Sequence, residues 1–276
     1  MNKTKLALAS LLTIASASAF SQAAAPAAPA PTPEWTITGN AGLFSDYRFR
    51  GISQTDKKPA FQGGFDVAHS SGLYAGNWNS NVDSALYSGA NIEMDFYAGF
   101  KGALADTGVG YDIGAIYYYY SGSARNGAPG IDNKEIYVGA SYGPVSAKVY
   151  VPIGDFFSAQ HNKLGNGKSA SGSFYVDLSG AYDLANVGAP GFGLVAHFGY
   201  QDLRGAAKLV DTSGKTKSDY VDWKLGATYT VASGPLNGFV VGLSYIDTDL
   251  DIVNSGGSPK RIISGATGVL SVSKSF

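Results

Sequence analysis

Three histidines, His69, His161 and His197, are the chain's readiest acid–base groups, and cysteine is absent. Without a thiol there is no disulfide framework, no thiolate metal site and no cysteine nucleophile. A serine hydrolase needs a histidine beside its nucleophile and a third polar group to orient the ring. The three histidines fall in different kinds of segment, and spacing alone assigns none of them a serine partner. The chain therefore reads as a non-enzyme, with a barrel-embedded hydrolase as the weak alternative. Gly108, Gly110 and Gly114 have phosphate-loop density but sit in an alternating stretch with no helix to follow. Asp247, Asp249 and Asp251 offer hard oxygen ligands, yet lack the spacing and distal Glu of an EF-hand. At most they suit an outer loop that bridges lipopolysaccharide phosphates through weakly held divalent ions. No metal centre and no cofactor are expected.

What remains is charge placed in phase. In segment after segment, apolar residues take every second position and charged ones fall between them. The charged set is Asp46, Arg48, Arg50, Asp66, Glu93, Asp95, Asp112, Glu135, Lys148, Asp177, Asp222 and Lys224, accompanied by Gln62, Asn77, Asn79 and His197. Period-two alternation belongs to a strand whose two faces meet different surroundings. If the polar faces converge on one interior, these residues are candidates to line a pore. Acids outnumber fixed bases in the set, which implies mild cation preference in an open lumen. The plainer alternative is a structural or surface-binding barrel whose interior is filled by ion-pair networks.

The elements that must position these residues can be read from the alternation and its Gly, Pro, Asn and Asp boundaries. Strands are expected at 35–49, 60–68, 73–82, 91–100, 109–119, 135–142, 145–153, 174–182, 192–200, 221–231, 239–245 and 262–276. Their connections alternate in length. The turns at 69–72, 101–108, 143–144, 183–191 and 232–237 are short. The others are longer and more polar, notably 154–173, 201–219 and 247–260. Outer-membrane barrels have short periplasmic turns and longer outside loops, whereas a soluble sandwich has no reason to alternate so. The expected fold is all-β, a transmembrane antiparallel up-and-down barrel of about twelve strands. Two aromatic girdles fit it: Trp35, Tyr74, Tyr111, Tyr142, Tyr182 and Tyr229 toward the periplasm, and Tyr47, Tyr119, Tyr200, Trp223 and Tyr245 toward the outside.

The totals agree. Residues 1–23 read as a signal peptide, with Lys3 and Lys5 before a short apolar core and small residues at a cleavage site near Ala19, Ala23 or Ala25. A Pro/Ala-rich linker follows at 24–34, leaving 35–276 as the barrel. No run approaches the roughly 18–20 apolar residues of a membrane helix. Charged residues are 15%, against about 25% in soluble domains, and the 37 glycines and 18 tyrosines suit tight turns and interface belts. A net charge of −1 gives no support for nucleic-acid binding.

The run 45–55, from Ser45 through Asp46, Tyr47, Arg48, Phe49, Arg50 and Gly51 to Thr55, resembles the start of the TorF family of porin-type barrels, an uncharacterised proteobacterial outer-membrane group. Segments 72–82, 93–102 and 135–143 and the closing Ser273, Lys274, Ser275 and Phe276 are similar to it as well. The resemblance implies a Gram-negative outer-membrane protein that passes a small polar solute or ion. Its partners would then be outer-membrane lipid, lipopolysaccharide and the barrel-assembly machinery, with Phe276 as the assembly signal. Arg50 and Gly51 are expected at the outer mouth.

Overall fold

The computed structural model describes residues 34–123, 130–158, 170–254 and 260–276. The expected signal peptide, the linker up to residue 33, and His161 lie outside these residues.

Twelve strands form the wall. They are β1 (Trp35–Phe44), β2 (Ala60–His69), β3 (Leu73–Asn81), β4 (Ile92–Ala103), β5 (Val109–Ser121) and β6 (Asp132–Tyr142), then β7 (Val145–Pro152), β8 (Phe174–Asp183), β9 (Phe192–Asp202), β10 (Asp219–Thr230), β11 (Phe239–Thr248) and β12 (Thr267–Ser275). Each pairs antiparallel with its chain neighbours, and β12 pairs with β1, so the sheet closes. Closure leaves no unpaired strand edge. Beyond β12, Phe276 continues the seam: its amide donates to the Gly39 carbonyl (2.9 Å), and the Gly39 amide donates to its own (2.7 Å).

Pleating sends alternate side chains to opposite sides of the wall. Outside lie Ile37, Phe65, Ile113, Val138, Leu225 and Leu243, each more than half exposed. An exposed apolar surface that runs around a whole barrel is far larger than the patches of soluble monomers. Trp35, Tyr142, Tyr182 and Tyr229 ring the end with short turns, while Tyr119 and Tyr245 stand near the end with long loops, all of them exposed.

Three expectations need correction. The first strand ends at Phe44 and not at residue 49. From Ser45 the chain turns into the barrel, and Arg48–Phe49 pairs with Ile52–Ser53 in a small hairpin. Arg50 and Gly51 make its turn with φ of 46° and 78°. Its polar side chains find partners with one another and with the far wall, which a continued β1 would not offer. The last strand begins at Thr267, since Ile262 is held in an isolated bridge to Val253. Strand β3 has the opposite facing from that expected. Tyr74 and Trp78 point inward and are buried, while Asn77 and Asn79 share the outward phase with Leu73 and Ala75. Tyr47 and Tyr74 therefore belong to the interior and not to the girdles.

Candidate functional site

The interior is organised by the inward hairpin of residues 45–59, most of which is buried. At its base the Asp46 carboxylate accepts from Arg48 Nε (2.6 Å), Ser53 Oγ (2.6 Å) and Thr55 Oγ1 (3.1 Å). Arg48 also donates to the Gly51 carbonyl and to Thr267 Oγ1 on β12. Arg50 reaches across the lumen. It donates to Glu135 Oε2 on β6 (2.6 Å) and to Gln201 Oε1 on β9 (2.7 Å), with its guanidinium 4.3 Å from the Tyr175 ring centroid. Burial alone would lower its pKa, but the Glu135 carboxylate, together with Tyr118 and Tyr175, more than reverses this, so Arg50 stays cationic. A Cβ on Gly51 would overlap the side chains of Thr248 and Asp222, so the tip seats closely against β10 and β11. The Arg50–Gly51 turn thus lies inside the barrel, level with the long-loop ends of β6, β9, β10 and β11.

Three more groups of charge line the walls. Lys148 Nζ and Asp112 Oδ2 pair at 2.6 Å, and the Tyr74 hydroxyl donates to Asp112 Oδ1. His197 lies between two carboxylates, with Nδ1 3.2 Å from Asp177 Oδ2 and Nε2 2.9 Å from Asp222 Oδ1. Lys224 is its cross-strand neighbour on β10. On the opposite wall Tyr47 donates to Glu93 Oε1 (2.7 Å) and Tyr97 to Asp66 Oδ1 (2.7 Å). Burial, then the charges of Glu93 and Asp95, hold the Tyr47 phenol protonated. Asp66, Glu93 and Asp95 make no salt bridge among the described residues.

A cavity of about 220 Å³ lies between these walls and the hairpin. Asp46, Arg48, Arg50, Asp95, Lys148, Asp177, Asp222 and Lys224 all face it; Asp66, Glu93, Asp112 and Glu135 are not part of its lining. Toward the short-turn end its lining is small and hydroxylated: Ser146, Ser179, Thr228 and Ser271.

Two features escaped the sequence. One is the aromatic lining, since Tyr97, Tyr118, Tyr137, Tyr150 and Tyr175 all face the cavity. Its signal was present in Tyr117, Tyr118, Tyr119 and Tyr120, because four consecutive tyrosines on a strand must occupy both faces. The other is a serine for His197. The β8–β9 register sets Ser179 opposite it, with Oγ 3.0 Å from Nδ1. That Oγ also donates to Asp177 Oδ1 (2.8 Å), and Asp177 contacts the same Nδ1. With both ring nitrogens facing carboxylates, the imidazole is arranged as a cation between acids and has no free nitrogen with which to take the serine proton.

The family description of a bacterial protein of unknown function, Gcw_chp, matches residues 27–276, the whole wall and its hairpin. The chain belongs to the Gcw_chp family. No curated protein matches it. Among solved structures this Gcw_chp barrel is similar to Acinetobacter baumannii OccAB3, at 12% identity and a TM-score of 0.44, over 89% of the chain and 65% of that protein. It spans just under two thirds of the length of that relative. It is also similar to Pseudomonas aeruginosa OccK5, at 15% identity and a TM-score of 0.42, over 89% of the chain and 68% of that protein. A third is P. aeruginosa OccK2 in complex with glucuronate, at 16% identity and a TM-score of 0.39, over 90% and 68%.

Proposed function

We propose that this Gcw_chp protein is an outer-membrane channel that passes small polar solutes or ions by diffusion, through a lumen narrowed by its own inward hairpin. The observation that carries the reading is a closed twelve-strand barrel, apolar outside, with a charged and cavity-bearing interior. An apolar exterior suits lipid, and a charged interior suits water. Residues 1–23 serve as the export signal and are removed, 24–34 form a linker, and 35–276 form the barrel. The barrel-assembly machinery inserts it through the strand that Phe276 closes, among lipid and lipopolysaccharide. The TorF-like segments agree with this reading. No step needs a cofactor, and the Ser179–His197 contact serves packing and charge, not catalysis.

Asp46, Glu135 and Asp112 are neutralised by direct pairing with Arg48, Arg50 and Lys148. Asp66, Glu93 and Asp95 are not, so an open lumen should favour cations. Planar-bilayer recording in a salt gradient tests both parts. A steady conductance with a cation-selective reversal potential is expected. Clear anion selectivity would contradict the charge argument, and no conductance at all, even with the hairpin excised, would contradict the channel.

A further inference from the structure

We infer that the wall formed by β2, β3 and β4 binds an organic cation, the ammonium or guanidinium group of a small solute, with Asp95 as its counter-ion and Gln62 as its second acceptor. The channel reading above bears on this only in how such a solute would arrive.

The Asp95 side chain is buried, at 1% exposure, and its Oδ1 has no hydrogen-bond donor among the described residues. Gln62 is 3% exposed, and its carbonyl Oε1 is likewise without a donor. Both face the cavity, as do the rings of Tyr47, Tyr97 and Tyr118, and Tyr118 is the cross-strand partner of Asp95 on β5. A buried anion calls for a cation or several donors, and the protein's own nearby cations are committed elsewhere: Arg48 to Asp46, and Arg50 to Glu135 and Gln201. An acceptor pair among aromatic rings matches a group that carries positive charge and N–H donors, since ring faces attract cations. Among the described residues no three carboxylates or histidines converge as metal ligands. β3 separates the strands that carry Gln62 and Asp95, about 9–10 Å at the backbone, which favours a group whose donors are spread apart over a bare metal ion.

Trp78 is the reporter. It is the cross-strand partner of Asp95 on β3, is buried, and packs edge-on against Tyr47. In purified Trp35→Phe/Trp223→Phe protein in detergent, titration with methylguanidinium should change Trp78 emission saturably. Methylurea, its neutral counterpart, and sodium chloride at matched concentration should not. Asp95→Asn should raise the apparent Kd at least tenfold and Gln62→Met severalfold, while Asp106→Asn on an exposed turn should leave it unchanged. An absent or unsaturable methylguanidinium response, an equal response to methylurea or to sodium, or an unaltered Kd in Asp95→Asn would each overturn the proposal. The ligand comparison needs no change at the site, so it stands even where Asp95→Asn fails to fold. Emission is read without ion flow, which keeps the two readings separable. A barrel that conducts but does not bind sinks this inference alone, and one that binds but does not conduct sinks the channel alone.

Discussion

Arg50 shows how much a single side chain can organise inside a barrel. Its partner Glu135 is wholly buried, so removing the guanidinium strands a carboxylate with no other cation in contact among the described residues. Arg50→Met should destabilise the barrel by about 3–5 kcal/mol, the usual consequence of breaking a buried pair. The double change Arg50→Met/Glu135→Gln should restore most of this, because a neutral amide costs less to bury than an unpaired charge. Thermal unfolding in micelles checks both, and equal losses in the single and double variants would refute the pairing. At His197 the expected outcome is chemical silence: a fluorophosphonate that labels activated serines should leave Ser179 untouched, and labelling lost in His197→Gln would instead make it a nucleophile. That each charged residue sits opposite an apolar phase was legible from the chain. That Arg50 pairs with Glu135, 85 positions away, was not, because a contact across the lumen leaves no trace in local spacing.

Strand β3 is where alternation misled, and the reason is physical. Its two phases hold Tyr74, Trp78 and Val82 against Asn77 and Asn79, so hydrophobicity alone sends the amides inward. The amides instead bond one another and the neighbouring backbone: Asn79 Nδ2 donates to Asn77 Oδ1 (2.6 Å) and to the Gly63 carbonyl (3.2 Å). Such bonds offset part of the cost of facing an apolar medium. Tyr74 and Trp78 gain polar and aromatic partners inside, Asp112 and Tyr47. The absence of native cysteine makes the assignment easy to check with single spin labels in lipid. A label at Asn79→Cys should be relaxed by lipid-soluble oxygen and one at Ser80→Cys should not, and the reverse pattern would restore the original facing. The inward hairpin is the other element that alternation concealed, since residues 45–49 continue the phase of β1 while the turn at Arg50 and Gly51 reverses the chain. β1 ends at Phe44 directly opposite Ala60, so residues 46–57 can be replaced by Gly-Ser-Gly without touching the wall. Conductance should rise several-fold in that variant, and an unchanged value would show that the hairpin does not narrow the path.

At the scale of the whole molecule, twelve strands stand between the roughly eight that side chains alone can fill and the 16–18 of open porins. The chain resolves that intermediate size by folding its own first loop inside, which leaves a cavity in place of a solid core or a wide pore. Local sequence dictated a great deal here. Strand number, antiparallel order, the alternation of short turns and long loops, and the inward phase of eleven strands follow from period-two patterning, because a two-faced wall penalises every slip of register along its whole length. Tertiary structure alone decided the path of residues 45–59, the facing of β3, and which acids keep a cationic partner. Those outcomes depend on side chains meeting across a closed lumen, where the partners come from distant strands and the available volume exists only once β12 has paired with β1.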